Sequence, residues 1–378
     1  MKPKFNFIVS SIMPYHMDRF YSLGETFICS AISKYEKEYL DIQKSHQNEY
    51  SKSNLSEIRV AHQGTFEDLN FFKKGFFLMK SILFVQSEHT FIGLGGNIKP
   101  YDPFLVISVL IKRIFRKKVY IFFNTNFTDR QRSILKEGLK VLLLSMYSGA
   151  ICSSESSASY LKFLGFKKRK VLSGGFNTIS ISRFKKNIQN QDRNQFLFIG
   201  RVTEKKNIKF LLDVYKSYKE LNSEYLPLKI IGNLSDEFNY LDYSKSIGLS
   251  EDIFVGPLDD KKITEELFKS SALLVPSKYE EWGNVVNESI ATNTPVLVSE
   301  TVMARNTLVK QFVNGLILEP DNKEGWISAL NLLTNNKDLV IKLSQGADEF
   351  KKYADSDWFR ESVFKLVGSY SMSLEKRK

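Results

Sequence analysis

From residue 196 to residue 298, short apolar runs alternate with longer amphipathic segments. Phe196–Ile199 is apolar and ends at Gly200, and Asn207–Leu221 has the 3.6-residue periodicity of a helix with one apolar face. Leu228–Ile231 ends at Gly232, and Ile253–Val255 ends at Gly256. Ala272–Val275 runs into Pro276, and Val296–Val298 closes the series. Between these strands, Ser235–Ile247, Asp260–Ser270 and Val285–Ala291 read as helices. Such alternation predicts repeated βα units around a parallel sheet. Ligands of open parallel sheets bind outside the carboxyl ends of the strands, so the Gly and Pro positions mark where chemistry is to be sought.

The first half follows the same logic less regularly. Phe5–Ser10, Ser81–Val85, Phe91–Leu94, Val119–Phe123 and Gly149–Cys152 read as strands. Arg19–Lys34, Phe104–Arg116 and Ser133–Tyr147 read as helices. Tyr35–Gln63 is polar and weakly patterned, a mixture of strand and loop. The polar stretch Ser173–Asn194, with Gly174-Gly175, is the expected junction between halves. Asp357–Ser371 reads as a helix with Trp358, Phe359, Val363 and Phe364 on one side, too apolar to stand alone. The expected organisation is α/β: two Rossmann-like doubly wound domains, residues 1–175 and 190–352, with residues 353–378 packing back on the first.

A chain of 378 residues is long for one core and suits two. Cys29 and Cys152 stand alone, without metal-ligand spacing, which points to a reducing compartment and away from structural zinc. The N-terminus lacks a signal-peptide pattern, and no stretch approaches the ~20 apolar residues of a membrane span. The net charge of +12 is uneven: residues 1–190 carry +15 and the remainder −3. A basic half faces a polyanion or an anionic membrane, or is simply kept in solution by its charge.

Two segments carry candidate chemistry. In Gly200-Arg201-Val202-Thr203-Glu204-Lys205-Lys206-Asn207, Arg201 and Lys206 flank a strand-to-helix turn with free helix N–H groups. Together these suit a diphosphate, although a solvated Lys-rich turn reads the same way. In Glu280-Glu281-Trp282-Gly283-Asn284-Val285-Val286-Asn287-Glu288, two carboxylates stand eight residues apart across a second strand-to-helix turn. Gly283 permits close backbone approach, and the first amides of the helix can face phosphate or sugar oxygens.

Taken together, Gly200-Arg201, Lys206-Asn207, Pro276-Ser277, Glu280 to Glu288 and Thr294-Pro295-Val296 resemble the retaining family-4 glycosyltransferases of GT-B fold. The Trp-Gly-x-Val-Val-Asn-Glu wording resembles a bacterial subgroup that builds surface polysaccharides. The resemblance implies two domains facing across a cleft, the first for the acceptor and the second for the nucleotide sugar. It implies that Arg201 and Lys206 bind the donor diphosphate and that Glu280 contacts the donor sugar near the reacting face. Glu288 would bind the ribose, and the backbone of Gly283, Asn284 and Val285 would hold sugar and phosphate. Gly232, Asn233 and Leu258 match the nucleobase pocket. In the first half the family's Gly-Gly turn is replaced by Ser10–Pro14. None of His16, His46, His62 and His89 falls on the strand end where many members carry a His, so no catalytic His is assigned.

The implied reaction moves a hexose, with retention, from a nucleotide diphosphate sugar such as a UDP-sugar to a glycan or undecaprenyl-type lipid-linked acceptor. Arg201 and Lys206 stabilise the departing diphosphate, and neither cofactor nor metal is expected. Asp259-Asp260 reads as a helix cap. The setting is cytoplasmic, peripheral on the inner face of the membrane, with no nucleic acid partner. The basic apolar segment 104–118, and the similar Phe71–Phe84, could lie on an anionic leaflet or be crossover helices with cationic ends. Rival readings are a nucleotide-sugar epimerase and a non-catalytic GT-B module. A dinucleotide oxidoreductase is disfavoured, because Gly93-Leu94-Gly95-Gly96 lacks the required glycine spacing.

Overall fold

Strands buried on both faces organise each half of the chain, as their continuous apolar runs require. The computed structural model describes the chain apart from residues 1–3, 25, 38–39, 41–55, 95–96, 128–131, 167–169, 185–191 and 369–378. It divides into two units, residues 1–180 with 356–378, and residues 181–355. The division falls at Ser180/Ile181, within the predicted junction, and the chain rejoins the first unit at Ser356 rather than at residue 353.

The first unit runs β1 (Phe5–Val9), α1 (Pro14–Ser22), β2 (Phe27–Tyr35), β3 (Ser56–Thr65), α2 (Phe71–Leu83), β4 (His89–Leu94) and α3 (Pro103–Ile114). It continues through β5 (Lys118–Phe123), α4 (Ile134–Leu144), β6 (Gly149–Cys152), α5 (Glu155–Phe163) and β7 (Lys170–Ser173). Among the described residues these form a seven-stranded parallel sheet in the order β3-β2-β1-β4-β5-β6-β7. Side chains alternate across β1. Phe5 and Phe7 join Phe91 and Phe122 beneath α1, and the Phe7 and Phe20 rings stack with centroids 4.1 Å apart. Ile8, Ile92 and Ile121 face the opposite way, toward α2 and α3.

Two sequence expectations fail here. The helix expected over Arg19–Lys34 is α1 followed by β2. Gly24, at φ 63°, ends the helix, and the buried run Phe27–Ile32 pairs with β1 and β3. The strand expected at Ser81–Val85 is the last turn of α2, which starts at an Asn70 cap bonded to the Lys73 N–H at 2.9 Å. Of the mixed stretch Tyr35–Gln63, the strand part is β3, and residues 41–55 lie outside the described residues. Gly95 and Gly96 lie outside them as well.

The second unit runs β8 (Gln195–Ile199), α6 (Ile208–Leu221), β9 (Leu228–Ile231), α7 (Tyr240–Ser246), β10 (Phe254–Gly256), α8 (Asp260–Lys269) and β11 (Ser270–Val275). After these come α9 (Asn284–Ala291), β12 (Val296–Ser299), α10 (Arg305–Leu308), β13 (Gly315–Leu318), α11 (Lys323–Asn335), α12 (Lys337–Gly346) and α13 (Lys351–Ala354). The described strands pair in the order β10-β9-β8-β11-β12-β13, all parallel. The order reverses between β8 and β11, which makes that pair the topological switch point where α/β sheets bind ligands. Helix α7 is shorter than the expected Ser235–Ile247, because the Asn239 side chain caps it by accepting from the Asp242 N–H at 3.1 Å. Asp259 caps α8, accepting from the Lys262 N–H at 2.8 Å. Arg193, in the polar junction, is a staple: it donates to Ser270 O at 2.8 Å and Asn293 O at 2.9 Å, and burial lowers it to about 10. The last helix, α14 (Ser356–Val367), belongs to the first unit, where Phe359 and Val363 close the aromatic core and Trp358 lies over Gly174.

Both cysteines are buried, and burial pushes the Cys29 thiol up to about 12 and Cys152 up as well. Thiolate is the reactive form. Neither thiol is expected to react with iodoacetamide at pH 8 in the native protein, whereas both react in denaturant. Rapid native labelling by mass spectrometry would contradict this packing.

Candidate active site

At the carboxyl ends of β8, β9 and β10 stand Gly200, Gly232 and Gly256. Their backbones are joined: Gly200 N–H donates to Ile231 O at 2.9 Å, and Gly232 N–H donates to Gly256 O at 3.0 Å. Gly232 has φ 142°, and a Cβ built on it would lie 2.0 Å from the Gly200 carbonyl oxygen. A side chain at this position is therefore excluded by backbone contact as well as by φ.

Beyond Gly200, the chain passes exposed Arg201 and turns through a single 3-10 turn, Glu204–Lys206, before Asn207, at φ 61°, opens α6. That turn brings Lys206 back over the strand end, with its Nζ 3.8 Å from where a Gly200 Cβ would be. The Lys206 ammonium pairs with Glu280 Oε1, which also accepts from Ser277 Oγ at 3.3 Å. The Lys206 and Glu280 side chains are only 20% and 11% exposed, so the pair is screened far less than a surface one. A carboxylate and an ammonium 74 residues apart in sequence thus meet at the β8–β11 switch point.

The Glu280 backbone is held on both sides. Its N–H donates to Thr301 O at 3.3 Å, and its carbonyl accepts from Met303 N–H at 3.2 Å, a parallel bridge to Val302. Lys278 N–H donates to Lys205 O at 2.9 Å, and the Lys278 ammonium lies 2.9 Å from Glu204, which holds that carboxyl below its usual range. The two loops are therefore closed onto each other, and Lys206 and Glu280 are positioned by structure outside their own side chains.

Gly283, at φ 97°, leads into α9, and a Cβ there would touch Val302 Cγ1 at 3.0 Å. Buried Trp282 donates from Nε1 to Asn287 Oδ1 at 2.7 Å, and Asn287 Nδ2 reaches Ala354 O at 3.4 Å. Trp282 and Asn287 are thus packing parts that fix the first turn of α9. Asn284, Val285 and Glu288 remain half-buried. The first amides of a helix have no partner within it, so this turn presents donors at the same strand end as Glu280.

Arg201, Lys206, Glu280 and Gly283 fall at the ends of β8 and β11, and Gly232 and Asn233 at the end of β9. Leu258 follows β10 and packs against the cluster containing Val286. Sequence reasoning gave Ser277 no role. Its signal was its place immediately after the strand and Pro276, where a hydroxyl can reach back to the loop carboxylate.

In the first unit, Ser10 and Ser11 follow β1 and donate to Glu36 Oε1 at 2.6 and 2.8 Å. His16 Nδ1 accepts from the Met13 N–H at 3.3 Å and caps α1, and burial, aided by Arg19, lowers its pKa well below the usual value. Among the described residues, no group of three His, Cys, Asp or Glu is placed to hold a metal ion.

Residues 180–353 match the family model described as Glycosyl transferases group 1. The chain is 26% identical over 210 residues to an uncharacterized glycosyltransferase of Methanocaldococcus jannaschii, covering 52% of this chain and 53% of the relative. It thus spans about half the length of that relative. It is 23% identical over 270 residues to the amylovoran biosynthesis glycosyltransferase AmsD of Erwinia amylovora, covering 68% of this chain and 74% of the relative. Anabaena HepE, solved in complex with UDP, matches over 97% of this chain and 100% of its own, with a TM-score of 0.68 and 15% identity. At that identity the likeness speaks for the fold, which is GT-B. The match to the glycosyl transferases group 1 is thus one of similarity, spanning residues 180–353, a little under half of the chain.

Proposed function

We propose that this chain transfers a hexose from a nucleotide diphosphate sugar to a glycan or lipid-linked saccharide in surface polysaccharide biosynthesis. The observation that carries this reading is the Lys206–Glu280 pair at the switch point, beside Arg201 and the α9 N-terminus. Arg201 and Lys206 bind the diphosphate, Glu280 orients Lys206 and meets the sugar, and Glu288 takes the ribose. The amides of Gly283, Asn284 and Val285 bind sugar and phosphate oxygens. Gly232, Asn233 and Leu258 border the base. UDP is the proposed nucleotide, on the likeness to HepE solved with UDP.

Transfer proceeds with retention. The bond from the anomeric carbon to the β-phosphate oxygen breaks, and its electron pair leaves with the phosphate. The acceptor hydroxyl adds on the same face, and its proton passes to the departing phosphate oxygen. Lys206, held in place before reaction by Glu280, and Arg201 stabilise the charge that develops there, so the step needs neither metal nor cofactor. Acceptors of the lipid-linked kind lie at a membrane, and we place the enzyme peripherally on an anionic inner leaflet. Among the described residues, no helix is long and apolar enough to cross a membrane.

A panel of UDP, GDP, ADP and their sugars, read by thermal shift and then by product analysis, tests this. At a hundred times Kd, the correct nucleotide stabilises by about 2.7 kcal/mol, a shift of several degrees. If no nucleotide shifts the melt and no sugar is released or transferred, the chain is a non-catalytic module. An epimerised nucleotide sugar as sole product would make it an epimerase.

A further inference from the structure

Helix α4 is amphipathic with its faces reversed. Glu137 and Lys140 are turned toward the protein, with side chains 15% and 13% exposed, and they pair with each other at 2.8 Å. Both bond the Tyr160 hydroxyl of α5, to which Lys140 donates at 3.1 Å. The outward residues are apolar: Ile134 is 90% exposed, Leu135 86% and Leu142 68%, and Leu144 alone in the helix is buried. A helix facing only water places its charges outward and its leucines inward.

The face continues on α3 and, beyond it, on α2. In α3 the apolar residues split: Leu105 and Val109 are buried, whereas Ile107, Leu110 and Ile114 are exposed. Lys112, which the sequence placed with the basic residues of this face, is instead buried and donates to Val85 O at 3.3 Å. In α2, Phe72 and Phe76 are exposed. The Phe71 and Phe104 rings, 5.7 Å apart, join α2 to α3, and Arg113 Nη1 donates to Ser145 O at 3.4 Å, joining α3 to the end of α4. All three helices cover the same side of the sheet, opposite α1 and α14.

Charge selects the occupant. Neither α2 nor α3 contains an acidic residue, and the single carboxylate of α4 is tied to Tyr160 and Lys140. Around the apolar side chains stand exposed Lys73, Lys80, Arg113, Arg116, Lys117 and Lys136. A second copy of the chain would set cations against cations. Anionic headgroups above an acyl layer match both the charge and the apolar surface, because leucines enter the boundary while Lys and Arg reach the phosphates.

We propose that the α2–α3–α4 face docks on an anionic lipid bilayer, with α4 lying in the interface and its outward leucines inserted. This rests on the membrane placement proposed above and narrows it to a named surface, of which α4 was not anticipated from the sequence. Flotation of the full chain with phosphatidylcholine vesicles, with and without phosphatidylglycerol, tests it at low salt. The chain is expected to float with the anionic vesicles and little with pure phosphatidylcholine. The double variant Leu135→Asp/Leu142→Asp should reduce partition roughly tenfold or more, with its melting temperature and its stabilisation by UDP unchanged. Lys117→Glu/Lys136→Glu should weaken anionic binding alone, and Leu221→Asp, an exposed position in the second unit, should float as wild type. Wild type that stays unbound at low salt, or a folded double leucine variant that floats undiminished, overturns the proposal. A dimer abolished by the leucine variant overturns it too, since the occupant would then be a second copy. Vesicle binding without any effect of UDP leaves the proposal standing and fails the donor reading alone.

Discussion

Replacing Lys206 with alanine is expected to lower transfer by roughly two to three orders of magnitude, the loss typical of removing one group that stabilises developing charge. Arg201→Ala should do the same. The two sites differ in their effect on the resting protein. Arg201 is exposed, whereas Lys206 is the ammonium of Glu280, a residue only 8% exposed. Without Lys206 that carboxylate retains Ser277 but lacks its counter-charge, a cost of about 1–3 kcal/mol that leaves the unit folded. Glu280→Gln keeps the Ser277 contact and loses the charge. Because the pair acts as a unit, Lys206→Ala/Glu280→Gln should be no slower than the slower single variant. Near-normal turnover in both Arg201→Ala and Lys206→Ala, measured on folded protein, would remove the diphosphate assignment. Multiplicative losses in the double variant would mean that the two side chains act separately.

Gly232→Ala is the second substitution with a large expected effect, although it adds only a methyl group. The new Cβ would need the space of the Gly200 carbonyl, 2.0 Å away, and φ 142° is itself strained for alanine. The strand ends must separate, breaking the bonds from Gly200 N–H to Ile231 O and from Gly232 N–H to Gly256 O. A loss of about 2–4 kcal/mol follows, lowering the melting temperature by several degrees, together with loss of nucleotide stabilisation. Gly256→Ala is a useful contrast, since nothing lies within 4 Å of its Cβ and only its φ of 80° is strained. Equal effects at the two positions would argue against a close-packed floor at the strand ends.

Legibility in the sequence differed between the halves for physical reasons. In the second unit, β8, β9, β11 and β12 are short apolar runs bounded by Gly, Pro or polar turns, so period and punctuation agree. In the first unit, Phe27–Ile32 is buried on every residue because both faces of β2 are covered, and apart from Ser30 it is apolar, so it carries no period to separate strand from helix. The exposed apolar face of α4 was misleading in another way, since an outward leucine reads in sequence like an inward one. In the site, residue types pointed to Arg201, Lys206, Glu280 and Glu288, but the pairing of Lys206 with Glu280 depends on the 3-10 turn after Thr203 and on the β8–β11 neighbourhood. The roles of Trp282 and Asn287 in packing were hidden because their partners, each other and Ala354, are set by tertiary structure.

Helix α14 follows the second unit in sequence yet completes the core of the first. The outgoing and returning strands of chain meet there, with Ser356 N–H donating to Ile179 O at 2.8 Å. During synthesis, residues 181–355 emerge before the helix that covers Phe7 and Phe122. The second unit can therefore be finished on the ribosome while the first still exposes one side of its aromatic sheet. Any nascent or truncated chain ending before Ser356 carries that uncovered surface, and is a substrate for holdase chaperones for as long as it lacks this helix.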